Sequence, residues 1–79
     1  MGTRSGRSRQ THKQQFGTRL REFRLERGLT QETLAELAGL HRNYVGEVER
    51  GLRNIALENI HALADALGID PADFFTPNA

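Results

Sequence analysis

Seventy-nine residues with 37% apolar side chains make one small domain and leave no room for a second core. The absence of cysteine excludes disulfides and thiolate metal sites and points to a reducing cytoplasm, and neither a bilayer-spanning apolar run nor a signal-peptide pattern is present. The net charge of +1 conceals an asymmetry: residues 1–19 carry Arg4, Arg7, Arg9, Lys13 and Arg19 without an acid, whereas residues 20–79 carry six arginines against ten carboxylates. A mildly acidic body of this kind can still meet a polyanion if its few arginines gather on one face.

Met1 to Gln15 is rich in Gly, Ser, Thr, Arg and Gln and has almost nothing apolar to bury. Residues 1–15 are therefore expected to form a disordered basic tail, either simply solvated or laid along phosphates or a minor groove. The folded domain is expected over residues 16–79. Phe16, Leu20 and Phe23 share one face of a first helix predicted over Gly17 to Arg27, with Gly28 as its stop. Thr30 is the N-cap of a second helix, although Thr33 stands where a full capping box wants Glu or Gln. Gln31 follows in the first turn, where free amides and the positive dipole end make an anion clamp.

Leu34, Ala35 and Ala38 form one apolar stripe and Val45 and Val48 a second, separated only by Gly39-Leu40. A glycine corner, a small residue at the helix contact and an apolar plug in the turn describe a helix-turn-helix, whose second helix lies in a DNA major groove. That third helix of the chain is predicted to start near His41 and end at Gly51. It turns Arg42, Asn43, Tyr44, Gly46, Glu47 and Arg50 outward. Arg pairs with guanine O6 and N7, Asn with adenine N6 and N7, and Glu accepts from cytosine N4. Tyr44 either meets sugar, a thymine methyl or phosphate, or packs half-buried on the second helix. Glu47 either reads cytosine or repels phosphate from a wrong register. Gly46 costs on the order of 0.5–1 kcal/mol of helix stability against Ala, acceptable where the backbone must approach DNA. Arg53 and Asn54, in the loop that follows, are placed for backbone contacts that set register.

A fourth helix is predicted over Leu57 to Leu67, with Ile60, Leu63, Ala64 and Leu67 as its core face and Gly68 as its stop. Asp70-Pro71 then opens a short fifth helix running through Phe75. Phe74 and Phe75 are adjacent, so one should close the core while the other, with Leu57, is available for a dimer contact.

The blocks Gly28-Leu29-Thr30-Gln31-Glu32, Leu34 to Leu40, Tyr44-Val45 and Val48-Glu49-Arg50-Gly51 resemble the phage repressor and Cro (XRE-type) helix-turn-helix family. The resemblance runs from about Phe16 to Phe75. It implies an all-α, compact five-helix, lambda-repressor-like DNA-binding domain acting as a transcriptional regulator. The residues themselves assign base edges to Arg42, Asn43, Tyr44 and Glu47 and the DNA backbone to Thr30, His41, Arg50, Arg53 and Asn54, and the resemblance implies a backbone contact for Gln31. In the family an arginine at the place of Arg24 pairs with the glutamate that Glu49 matches, and the position of Leu57 often meets a second copy. His41 departs from the pattern, which more often caps with Ser, Thr or Asp, and its imidazole offers a phosphate contact strengthened by protonation. The partners implied are a double-stranded DNA operator, a second copy of the chain and RNA polymerase, with no membrane and no cofactor. The run from Tyr44 to Ile55 looks like small stand-alone regulators, including the controller proteins of restriction–modification systems.

The competing reading is an antitoxin-type module whose main surface grips a partner protein. An enzyme is disfavoured: the serines lie in the tail, and no paired carboxylates face a histidine in a cleft. His12, His41 and His61 are too scattered in the sequence for a metal site.

Overall fold

The computed structural model describes residues 10–76. Four α-helices, α1 (His12–Glu26), α2 (Gln31–Ala38), α3 (Arg42–Glu49) and α4 (Leu57–Leu67), are followed by a 3-10 helix, Pro71–Phe75. No strand occurs among the described residues. Helix α1 packs on α3, α2 bridges α3 and α4, and the 3-10 helix closes against α1 and α4.

One core joins all five elements: Phe16 and Leu20 from α1, Leu34 and Ala35 from α2, Val45 and Val48 from α3, Leu63, Ala64 and Leu67 from α4, and Phe74. Phe74 stacks at 4.7 Å from Phe16 and stands edge-on to Phe23. Burying side chains of this size contributes roughly 1.5–3 kcal/mol each. Two features allow helices so short to meet. Gly17 lies where any Cβ would overlap the carbonyl oxygens of Val48 and Glu49, so α1 and α3 touch backbone to backbone. Gly39 turns the chain at φ 72°, while Gly39 N–H and Leu40 N–H return to the carbonyls of Glu36 and Ala35. Leu40, half-buried, packs against the core from the corner.

Three expectations need correction. Helix α1 starts at His12 rather than Gly17, so residues 12–15, assigned to the basic tail, belong to the fold. The cause is a complete capping box: Thr11 Oγ1 accepts the Gln14 amide at 3.1 Å, and Gln14 Oε1 accepts the Thr11 amide at 2.9 Å. Lys13 is thereby a helical residue, while Arg4, Arg7 and Arg9 lie outside the described residues. The fifth helix is a 3-10 turn, because the five residues from Pro71 to Phe75 behind the Asp70 cap allow hardly more than one turn. Phe74 is not available for a dimer contact: it is 2% exposed and completes the monomer's core, leaving Phe75 at 64% exposure.

Candidate nucleic-acid interface

The N-terminal turns of α2 and α3 converge on one open groove of about 950 Å³. Of the ten residues expected to touch DNA, Thr30, Gln31, Arg42, Asn43, Glu47 and Arg50 line it. Tyr44, His41, Arg53 and Asn54 do not. The division follows helical period: positions 42, 43, 46, 47 and 50 share one side of α3, whereas Val45 and Val48 point into the core and Tyr44 lies on the flank.

Arg24 lines the groove and is held by a buried ion pair with Glu49. Arg24 continues the Phe16–Leu20 stripe of α1 by one further turn, so its guanidinium is carried inside the fold. Its Nε and Nη2 donate to the two oxygens of Glu49 at 2.6 and 3.0 Å, and Nη1 donates to the Leu29 carbonyl at 2.8 Å. The side chains are 9% and 2% exposed, which places this pair in a different class from the surface pairs of the molecule. Glu49 accepts a third bond, at 2.9 Å, from Gln31 Nε2. Gln31 thus reaches across from α2 to α3 rather than standing out in solvent.

That bridge accounts for Gly46. A Cβ there would come within 3.2 Å of Gln31 Oε1, so the missing side chain leaves room for the glutamine to pass. The sequence expects Gly46 to make room for DNA, whereas its neighbour in the structure is the Gln31 side chain.

The caps are also engaged. Thr30 Oγ1 accepts the Thr33 amide at 3.0 Å, the one half of a capping box made here, and donates to Thr33 Oγ1 at 2.9 Å. His41 Nδ1 accepts the Asn43 amide at 3.1 Å, so an imidazole does the work of the usual short polar cap. Arg42 and Asn43, the first two residues of α3, are exposed and project from the groove's edge. Arg42 meets Glu32 at 3.5 Å across the groove.

Tyr44 faces away from the groove toward α4, where its hydroxyl accepts from Asn59 Nδ2 at 3.0 Å. The Arg53 guanidinium lies 5.0 Å from the Tyr44 ring centroid, and its Nε stands 3.2 Å from Glu47. Sequence reasoning missed Asn59 and the Tyr44–Arg53 contact, which join residues too far apart along the chain for any local pattern to pair. Asn54 is exposed. Arg53 and Asn54 border a second depression together with Ile55, Ile60 and Phe75, and Leu57 stands 68% exposed one turn before Ile60.

Comparison with known proteins supports the geometry. The family model described as helix-turn-helix, HTH_3, matches residues 20–74. The chain is 44% identical over 59 residues to control protein C.BamHI of Bacillus amyloliquefaciens, covering 73% of each chain. It is 50% identical over 48 residues to control protein C.SmaI of Serratia marcescens, covering 61% of this chain and 57% of that one. The crystal structure of the restriction–modification controller protein C.AhdI from Aeromonas hydrophila superposes with a TM-score of 0.79 at 59% identity, covering 80% of this chain and 96% of that one. The chain is homologous to these control proteins, and the antitoxin-type alternative finds no support among the relatives. A helix-turn-helix built from α2 and α3, a family match spanning most of the chain, and relatives of this kind identify it as a transcriptional regulator belonging to the HTH_3, XRE-type helix-turn-helix family.

Proposed function

We propose that the chain binds a two-fold DNA operator as a homodimer in the cytoplasm and controls the operon of a restriction–modification system. The observation that carries this reading is the shared groove: the polar first turns of α2 and α3 open on one face, with Arg42 and Asn43 exposed at its edge. In this reading Arg42, Asn43 and Glu47 address base edges, while Tyr44 acts through Arg53 rather than on a base. Thr30, Gln31, His41, Arg50, Arg53 and Asn54 hold phosphates. Gln31 does so from its bridge to Glu49, which fixes α2 relative to α3. Leu57 and Phe75 supply the dimer contact, placing two reading helices ~34 Å apart on successive major grooves. An operator lying beside a promoter adds RNA polymerase as a partner. The controller assignment is supported by the likeness to C.BamHI, C.SmaI and C.AhdI.

Selection of bound duplexes from random DNA tests the proposal. A two-fold consensus is expected. Arg42→Ala should relax preference at one or two positions, each worth ~1–3 kcal/mol. Arg53→Ala should weaken all sequences alike and lower the salt slope by about one. Recovery of no consensus would refute sequence-specific reading.

A further inference from the structure

We propose that Glu47, and more weakly Glu32, are internal competitors for DNA phosphate: each carboxylate holds an arginine at the interface, and a duplex must displace it before that arginine engages. The inference rests on the DNA-facing assignment of α2 and α3. Two of the three arginines carried by α3 and the loop behind it are held this way, Arg53 by Glu47 at 3.2 Å and Arg42 by Glu32 at 3.5 Å. Both acids line the same groove as Arg42 and Arg50, where they face the polyanion the groove would receive.

A purely stabilising role does not explain these acids. Exposed ion pairs contribute little to folding, and the fold already has a buried pair in Arg24–Glu49. Their effect falls instead on the free state of the binding surface, where carboxylate and phosphate compete for one guanidinium. Phosphate contacts supply most non-specific affinity, so a protein that must first break an internal pair binds arbitrary DNA less tightly. Geometry ranks the two acids. Glu47 has the shorter contact and is less exposed than Glu32, at 40% against 63% of its side chain. Its arginine is also held in place from behind, over the Tyr44 ring that Asn59 anchors.

The test uses the full chain, titrated by fluorescence anisotropy against a short duplex of arbitrary sequence over a range of salt concentrations. Glu47→Gln is expected to tighten binding roughly two- to five-fold at low salt and to steepen the salt slope by up to about one. Glu32→Gln should show a smaller gain of the same sign. Asp65→Asn removes an exposed charge on α4 and controls for net charge; its gain should be smaller than that of Glu47→Gln. The Glu47→Gln gain should disappear in an Arg53→Ala background, with melting temperatures unchanged throughout. Three results each overturn the proposal: no gain for Glu47→Gln, a gain equal to that of Asp65→Asn, or the same gain without Arg53. A wild-type chain with no salt-dependent DNA binding removes the DNA reading itself, an outcome distinct from wild-type binding that Glu47→Gln fails to alter.

Discussion

Arg24, Glu49 and Gly46 show how burial decides the role of a polar or missing side chain. Arg24 and Glu49 are both charged and nearly out of solvent, so each depends on the other. Arg24→Ala would leave the Glu49 carboxylate buried with Gln31 as its remaining side-chain donor. We expect a loss of ~3–5 kcal/mol, read as a lower midpoint in urea unfolding. An unchanged midpoint would mean that solvent reaches the site freely. Gly46 works in the opposite sense. Alanine there gains about 0.5–1 kcal/mol of helix preference but pushes on the flexible end of Gln31 at 3.2 Å. Gly46→Ala should therefore keep or slightly raise the melting temperature while weakening DNA binding, because the α2–α3 bridge is disturbed.

Among the elements, the start of α1 is the clearest case of a local signal outweighing composition. The stretch around Thr11 is polar and basic, yet its Thr-x-x-Gln spacing satisfies two amides at once. Thr11→Ala should cost ~0.5–2 kcal/mol, with faster amide exchange confined to the first turn of α1. Uniform loss of protection along the helix would show that this turn is coupled to the whole fold. The 3-10 helix makes the complementary point, since its own capping box and proline deliver two adjacent phenylalanines to opposite environments. Phe74→Ala should cost ~3–5 kcal/mol of stability. Phe75→Ser should leave folding nearly unchanged and shift sedimentation from dimer toward monomer. A Phe75→Ser chain that still sediments as a dimer would exclude this face from the interface.

Across the whole molecule, a chain of 79 residues with a mildly acidic body places its interface cations sparingly. Arg42 and Arg50 line one groove, Arg53 stands on the neighbouring loop, and two of the three are already paired with carboxylates. Affinity for DNA then depends on a few geometrically held contacts rather than on a broad positive field. Phe75 and the exposed Leu57 lie outside that groove, but Phe75 shares its depression with Arg53 and Asn54, so the proposed dimer contact adjoins the proposed phosphate contacts.

Helical periodicity, the Gly39 corner and the cap residues are local features, and they were enough to establish the helix-turn-helix and the bounds of α2 and α4. Boundaries set by weak local competition were less legible, as at Thr11, where a low apolar content masked a capping signal. Tertiary structure alone decided which side chains meet: Gln31 with Glu49, Arg53 with Tyr44 and Glu47, and Tyr44 with Asn59. The physical reason is that helix propensity and period act over one or two turns of chain. The partner of a polar group is chosen by how whole helices pack, and that choice turned Gln31, Tyr44 and Gly46 toward the protein's own residues.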